Sequence, residues 1–238
     1  MKHPIVDSLE PVTLVGGGAV GADDLTLALE LAPVCVAADG GAARALEAGV
    51  NLAAVIGDMD SIASGTQAQI PSEKLHLIGE QMSTDFDKAL RHIAAPLVIA
   101  VGFTGGRIDH QLAALHTIIA RADTACLLIG AEEILFVCPP QIKLPTVAGD
   151  IVSLFPMTPV TGKSDGLKWP LEGLDFDPAT FIGTSNRANG PVRLELDAPG
   201  MICIVRRGLI RPVAQRLAAL PATARWPARA PQHKGPRP

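Results

Sequence analysis

The chain has 238 residues, of which 48% are hydrophobic and 18% charged, and this balance excludes extensive disorder. The formal net charge is −4, but residues 211–238 contain six Lys and Arg and no acid, which leaves about −10 for the rest. An acidic body of this kind argues against a nucleic-acid-binding protein.

From residue 12 to about residue 137, short apolar runs alternate with longer amphipathic ones. This alternation predicts βα units around a mainly parallel, Rossmann-like sheet, and thus an α/β domain over residues 1–138. The predicted strands are residues 12–15, 34–37, 53–56, 75–78, 97–101 and 125–129. The predicted helices are residues 23–31, 42–48, 84–93 and 109–121.

After Pro139 the pattern changes to short β-like runs separated by Gly, Pro, Asn and Asp. These runs predict a small all-β domain over residues 139–212. They are residues 150–155, 180–183, 192–196 and 201–205. Residues 213–238 are basic and rich in Pro and Ala, and we expect them to form a disordered tail.

The sequence also predicts a cytoplasmic protein that does not associate with membranes. No apolar run reaches the roughly 18–20 residues that a transmembrane helix needs, and the first residues lack the apolar core of a secretory signal. The four cysteines form no CxxC pair and lie mostly within apolar runs, which is typical of buried thiols.

Two carboxylates lie two residues apart in the glycine-flanked segment IGDMDS, directly after the third predicted strand. In extended backbone alternate side chains point the same way, so Asp58 and Asp60 can present oxygens to one hard cation such as Mg²⁺. Asp39 and Gly40 follow the preceding strand and offer a third carboxylate where a ligand can approach the backbone closely. The alternative for the aspartate pair is to cap a helix that begins near Ser61.

A third acidic segment, STDFDKAL, has the pattern of a helix start. Ser83 or Thr84 can cap the helix, Asp85 lies in its first turn, and Lys88 adds a cation suited to a polyphosphate. The alternative is structural, since acids are common in the first turn of helices.

A glycine-rich stretch, residues 102–110, lies between a predicted strand and a predicted helix. Backbone amides at Gly105 and Gly106, together with Arg107, can hold phosphate oxygens. The stretch is neither a GxxxxGK[ST] P-loop nor a GxGxxG motif. The earlier glycine run, residues 16–18, fits either a phosphate-facing turn or a plain strand-to-helix turn.

Because the carboxyl ends of parallel strands meet at one edge of a sheet, we expect these loops to converge. Their acids, cations and glycine turns are typical of a metal-assisted phosphoryl or diphosphoryl transferase. The hydroxyl group that receives the phosphoryl group must lose a proton, and Asp85 and Asp109 are alternatives for the base that takes it. The residues do not by themselves name the acceptor.

Six motifs, in matching order and spacing, resemble the thiamine pyrophosphokinase family over about residues 12–210. They are DGGA at 39–42, IGDMDS at 56–61, QMSTDFDKAL at 81–90, GGRIDH at 105–110, GLKWPL at 166–171 and TSN at 184–186. The resemblance implies a Mg²⁺-dependent enzyme that transfers the diphosphoryl group of ATP to the hydroxyl of thiamine, releasing AMP. It also implies an N-terminal catalytic domain, a C-terminal β-sandwich and a homodimer whose subunits share their active sites.

The resemblance further implies a role for each matching residue. The residues expected to hold the metal are Asp58, Asp60 and Asp85. Those expected to contact ATP are Asp39, Gly40, Lys88, Gly105, Gly106 and Arg107. Those expected to bind thiamine are Gln81, Trp169, Ser185 and Asn186, with the thiamine ring stacked on the indole. Asp109 and Arg107 join the three metal-binding acids as expected catalytic residues.

The sequence departs from the family pattern at three positions. The family commonly has Asn at the position of Ala43, an acid at Met82 and Asn at Ala114. These differences bear on the finer contacts to nucleotide or thiamine. Two alternatives follow: a transferase that acts on another alcohol, and a regulatory protein that binds nucleotide or thiamine without turnover.

Overall fold

The computed structural model describes residues 3–229, which form an α/β fold with few helices. The helices are α1 (Asp24–Leu31), α2 (Gly41–Glu47), α3 (Ser64–Gln67), α4 (Asp85–Leu90), α5 (Ile108–Ala120) and α6 (Ile210–Ala218). The first strands are β1 (Val6–Asp7), β2 (Val12–Val15), β3 (Val34–Ala38), β4 (Leu52–Gly57), β5 (Leu75–Leu77), β6 (Ile93–Ala94) and β7 (Val98–Val101). The later strands are β8 (Cys126–Ile129), β9 (Glu133–Val137), β10 (Gln141–Leu144), β11 (Ile151–Pro156), β12 (Gly162–Leu167), β13 (Gly183–Leu196) and β14 (Met201–Arg206).

Twelve of these strands form one large mixed sheet, and β1 pairs separately with β6. The order of the large sheet is β10-β13-β11-β14-β9-β8-β7-β2-β3-β4-β5, with β12 paired to β13. Neighbouring strands from β8 to β5 run parallel. From β8 to β10 each pair is antiparallel. The sheet therefore has a parallel half and an antiparallel half, joined where β8 meets β9.

The parallel half is buried on both faces, which explains its nearly continuous apolar runs. Every residue of β2, β7 and β8 is buried, and alternate side chains of β2 enter two different cores. Val15 packs on the face covered by α1 and α2, whereas Leu14 packs on the face covered by α4 and α5. The first of these cores continues into the antiparallel half through residues such as Val152 and Leu194.

All six parallel strands predicted from the sequence are present, with ends that differ by at most one residue. The helix predicted for 84–93 ends at Leu90, because Ile93 pairs with Val6 in the small sheet. The strand predicted for 180–183 is wrong, since Asp177 and Phe181 close a turn there. Strand β13 instead runs from Gly183 without a break, although only its last five residues were predicted.

The C-terminal segment differs from the predicted disordered tail in its described part, residues 213–229. Helix α6 buries Ile210, Val213, Ala214 and Leu217, an i, i+3, i+4, i+7 pattern that marks an amphipathic helix. Beyond it, the indole of Trp226 donates a hydrogen bond of 2.8 Å to the carbonyl of Cys138. The apolar contacts of α6 order this segment, although its Pro- and Ala-rich composition is typical of disorder. Residues 230–238 lie outside the described part.

All four cysteines are free and buried, as predicted. Burial raises the pKa of Cys35 and Cys203 to about 12, so both thiols stay protonated near neutral pH. Within residues 3–229, no helix combines the length and apolarity that a bilayer crossing requires.

Candidate active site

A cavity of about 620 Å³ lies at the carboxyl ends of the parallel strands. Gly17 and Gly18 after β2, Asp39 and Gly40 after β3, and the 102–107 loop after β7 contribute to its wall. The starts of α4 and α5 complete it. The structure therefore brings the predicted glycine turns and acidic loops together at one edge of the sheet.

Three carboxylates cluster beside this cavity. Asp39, Asp58 and Asp60 each offer an oxygen within 4.8 Å of the other two, and they range from buried to exposed in that order. The backbone φ is +42° at Asp39 and +65° at Met59, so both turns adopt the left-handed conformation. A Cβ atom on Gly57 would lie 2.8 Å from the Cβ of Asp39, so this approach requires glycine.

Two oxygens of this cluster have no hydrogen-bond partner among the described residues. They are Oδ1 of Asp39 and Oδ1 of Asp58, and both are buried. Burial raises the pKa of Asp39, and hydrogen bonds from Ser61 offset this only in part. Bare buried carboxylate oxygens are costly unless a cation or donor satisfies them. An oxygen-only set with few carboxylates suits Mg²⁺, so these residues fit that ion.

Lys88 lies under the cluster with only 2% of its side chain exposed. Its Nζ donates to Oδ2 of Asp58 at 2.7 Å and to Oδ1 of Asp85 at 3.0 Å. Burial alone would lower the pKa of Lys88, but these two hydrogen bonds outweigh it and leave the pKa above its ordinary value. In turn, the hydrogen bond from Lys88 lowers the pKa of Asp58. Lys88 therefore balances the charge of these two aspartates. Its contact with phosphate stays a prediction.

Asp85 lies in the cavity wall, at the first residue of α4. Thr84 caps this helix by accepting a hydrogen bond from the backbone N–H of Asp87 at 3.3 Å. Asp87 also accepts two hydrogen bonds from Arg121, at 2.8 and 3.2 Å, which fix the helix against the end of α5. Asp85 pairs with Lys88 and is not a member of the three-carboxylate cluster, where Asp39 stands instead.

The loop before α4 is organised by Glu80, which sequence reasoning missed. Its carboxylate accepts hydrogen bonds from the hydroxyl of Ser83, from the backbone N–H of Met82 at 2.8 Å and from Arg91 at 2.7 Å. The Ser83 hydrogen bond makes the largest contribution in lowering the pKa of Glu80 to about 2. A single glutamate in a loop carries no spacing signal. The same loop presents Gln81, whose amide lies 3.4 Å from Oδ2 of Asp58.

The two glycine loops pack backbone to backbone. A Cβ on Gly18 would lie 2.5 Å from the carbonyl oxygen of Gly102, and a Cβ on Gly102 would lie 2.6 Å from that of Gly16. Gly105 and Gly106 have φ of +78° and +75°, which glycine adopts without strain. The early glycine run is therefore both a tightly packed turn and part of the cavity wall.

Arg107 lies at the mouth of the cavity, at the tip of the second glycine loop. It is exposed and donates to Asp109 through Nε at 3.1 Å and Nη2 at 2.6 Å. This bidentate pair lowers the pKa of Asp109, chiefly through the hydrogen bonds from Arg107. The guanidinium thus lies next to the cavity, and both side chains of the pair are exposed.

Trp169 lies in the antiparallel half with 52% of its surface exposed, and the ammonium of Lys168 sits 4.7 Å from its ring centroid. The buried side chain of Asn186 holds its backbone, donating to the Trp169 carbonyl at 2.7 Å and accepting from its N–H at 3.2 Å. Ser185 has φ of +61° and donates its N–H to Ser153 at 2.9 Å. In the described chain, Trp169, Ser185 and Asn186 are not part of the cavity wall.

Both parts of the chain match models of known protein families. A family model described as thiamin pyrophosphokinase, catalytic domain, matches residues 25–128. A second model, described as thiamin pyrophosphokinase, vitamin B1 binding domain, matches residues 141–200. The chain belongs to the thiamine pyrophosphokinase family. Four of the six motifs that resembled this family lie in the first matched region, and two lie in the second.

Individual members of the thiamine pyrophosphokinase family agree with this assignment. Thiamine pyrophosphokinase 2 of Oryza sativa subsp. japonica is 28% identical over 176 residues, which span 64% of this chain and 65% of the rice protein. The match thus covers a little under two thirds of that relative's length.

Two solved structures of the thiamine pyrophosphokinase family share the fold. Thiamin pyrophosphokinase from Candida albicans superposes with a TM-score of 0.68 at 15% identity, covering 87% of this chain and 95% of that one. Thiamin pyrophosphokinase from Geobacillus thermodenitrificans superposes with a TM-score of 0.66 at 24% identity, covering 82% and 96%. The large mixed sheet with few helices is common to all three chains.

Proposed function

We propose that this chain is a Mg²⁺-dependent thiamine pyrophosphokinase that converts thiamine and ATP to thiamine diphosphate and AMP. The observation that carries the proposal is the pair of bare, buried oxygens on Asp39 and Asp58 beside a glycine-lined cavity, in a member of this family. In the reaction, the hydroxyl oxygen of thiamine bonds to the β-phosphorus of ATP. The bond from that phosphorus to the α–β bridging oxygen breaks, and AMP leaves with both electrons of that bond. The proton of the hydroxyl passes to one of the two alternative bases, Asp85 or Asp109.

Asp39, Asp58 and Asp60 are the residues that would hold Mg²⁺, with Asp85 next to them. When bound, the ion would neutralise part of the polyphosphate charge. The amides of the two glycine loops would bind phosphate oxygens. Arg107 would leave Asp109 and turn to the phosphates. A pair of phosphate oxygens, like a carboxylate, can accept two hydrogen bonds from a guanidinium, and the polyphosphate carries more negative charge than Asp109.

Thiamine would bind where Trp169 is exposed, with Ser185 near its ring and Gln81 on the opposite wall. An exposed indole attracts a cationic aromatic ligand, and Asn186 supports this role by fixing the Trp169 backbone rather than by contacting thiamine directly. Within one chain, Trp169 is not part of the cavity wall. We therefore propose a homodimer in which each subunit completes the active site of the other.

The proposed functional division assigns ATP to residues 1–138, as a Rossmann-like unit, and thiamine to residues 139–212, as a β-sandwich. Its support is the change from parallel to antiparallel pairing beyond β8 and the division of β13 along its length. The first part of β13, residues 183–187, pairs with β11, and the later part, residues 188–196, pairs with β10 and β12. A cytoplasmic location belongs to the same proposal and is supported by the four free cysteines.

The catalytic proposal is tested by product analysis with mass spectrometry after incubation with thiamine, ATP and Mg²⁺. We expect thiamine diphosphate and AMP in equal amounts from the unaltered protein. Asp58→Asn should lose activity by at least about 100-fold while remaining folded, since removal of one preorganised charge commonly costs that much. Asp165→Asn, at an exposed aspartate of β12, is the matched control and should retain activity.

Release of ADP with thiamine monophosphate would contradict diphosphoryl transfer. Absence of product with thiamine, but not with another alcohol, would favour the transferase alternative. ATP or thiamine binding without any product would favour the regulatory alternative.

The shared site is tested by mixing two inactive variants, Asp58→Asn and Trp169→Ala, after dissociating and reassociating the subunits. If sites are shared, each mixed dimer has one intact site and one site with both lesions. Half of the dimers are mixed at equal input, so about a quarter of the unaltered activity should return. If each site lay within one chain, every site would keep one lesion and no activity would return.

A further inference from the structure

A largely buried ion pair links the start of α1 to the segment that follows β14. Arg207 donates to Oδ1 of Asp24, and the two side chains are only 24% and 10% exposed. A second guanidinium nitrogen of Arg207 donates to the carbonyl of Gly130 at 3.0 Å, and its backbone N–H donates to Glu132 at 2.9 Å. The arginine is therefore fixed at the junction of the two halves of the sheet.

The other oxygen of Asp24 holds the first glycine loop, residues 16–21. Oδ2 accepts a hydrogen bond from the backbone N–H of Gly21 at 2.7 Å. A Cβ on Gly21 would lie 3.0 Å from the carboxylate oxygens, so the loop lies directly on this group. The loop contributes Gly17 and Gly18 to the wall of the active-site cavity. Asp24 thus connects Arg207 to the cavity wall without reaching the cavity itself.

Gly16 and Gly18 pack on the second glycine loop, but few side chains pack on the outer part of the first loop. Residues 17–19 and 21–23 are exposed, and an open groove of about 660 Å³ lies beside Val20, Gly21 and Leu25, away from the cavity. A loop with few packed side chains must lose conformational entropy when a ligand orders it. A hydrogen bond to a buried, ion-paired carboxylate can order the loop before the ligand binds, so that less conformational entropy is lost on binding.

We propose that Asp24 and Arg207 are positioning residues that hold the first glycine loop ready for the ATP polyphosphate; the inference rests on the proposed function. Without Arg207, Asp24 would be a buried charge without its cation, and it would turn toward water. The hydrogen bond to Gly21 would then be lost. ATP affinity therefore depends on a residue that follows the last strand of the antiparallel half and makes no contact with ATP.

The test compares Arg207→Met with Arg211→Met in the full-length protein. Arg211 pairs with Glu30, so its variant also removes an ion pair between the C-terminal segment and α1, but that pair is exposed and is not hydrogen-bonded to the loop. Binding of a Mg²⁺-loaded ATP analogue with a methylene group between the α- and β-phosphorus is measured by calorimetry without thiamine. We expect the Kd of Arg207→Met to rise about fivefold to twentyfold, and that of Arg211→Met to stay within about twofold.

Two further readouts separate positioning from a general structural role. The KM for thiamine should be unchanged in Arg207→Met, and hydrogen exchange should become faster at the amides of residues 16–23 but not in α5. An unchanged nucleotide Kd in folded Arg207→Met, with only a lower melting temperature, would overturn the inference.

If Arg207→Met does not fold, Asp24→Asn decides, because asparagine keeps an oxygen for Gly21 but removes the charge. A rise in Kd of about threefold or more is expected there, and an unchanged Kd would refute the positioning role. An unaltered protein that does not bind the nucleotide would refute the proposed function itself. Normal binding by the unaltered protein and by both variants would refute only this inference.

Discussion

Replacing Lys88 with methionine should destabilise the protein by about 2–4 kcal/mol. Removing one partner of a buried ion pair generally costs about 3–5 kcal/mol, because the other charge is left buried without compensation. Asp58 is 12% exposed and Asp85 33% exposed, so water can partly hydrate both carboxylates once the ammonium is gone. This exposure reduces the expected loss below the upper end of that range.

At about 2–4 °C per kcal/mol for a chain of this size, the melting temperature should fall by about 4–16 °C. Calorimetry and urea denaturation at pH 7 without Mg²⁺ measure this loss, and Lys168→Met is the control, because Lys168 is an exposed lysine beside Trp169. A loss below about 1 kcal/mol, together with weaker nucleotide binding, would refute the reasoning. It would show that Lys88 serves phosphate rather than the aspartates.

Two further variants test contacts away from the cavity. Because the pKa of Glu80 is lowered from 4.5 to about 2, its stabilising effect is present above pH 4.5 and is lost as the pH falls toward 2. The unfolding free energies of the unaltered protein and Glu80→Gln, measured in urea, should therefore converge over that interval; a constant difference would contradict the assignment. Trp226→Phe removes the donor to the Cys138 carbonyl and should cost about 1 kcal/mol in urea denaturation, whereas an unchanged stability would mean that this hydrogen bond adds nothing to the stability of the fold.

The parallel half of the sheet was predictable because strands buried on both faces leave apolar runs that need no knowledge of their neighbours. The antiparallel half was harder. Strand β12 reads GKSDGL and has mainly polar residues, and it is recognisable only by its pairing with β13. Within β13, the sequence Asn189-Gly190-Pro191 has the composition of a turn. The strand nevertheless continues through it, because the residues before it pair with β11 and the residues after it pair with β10.

In the candidate site, the sequence indicated the residue types but not their partners. The acids and glycines that follow β3, β4 and β7 could be placed at one edge because parallel strands share a direction. The partner of Lys88 could not be chosen in this way, since phosphate and carboxylate both attract an ammonium group and only the packing of α4 against β4 decides. Asp24 and Arg207 are even harder to connect, because no local pattern joins residues so far apart in the chain.

Strand β9 has β8 on one side and β14 on the other, and this arrangement governs how the chain assembles. During synthesis β8 and β9 can pair at once, but β9 keeps an unpaired edge until residues 201–206 have been made. Contacts between segments so distant in sequence form slowly. Before β14 has been made, the nascent chain therefore exposes the free edge of β9, which can pair with a strand of another chain. This edge is covered only when β14, the last strand, pairs with β9.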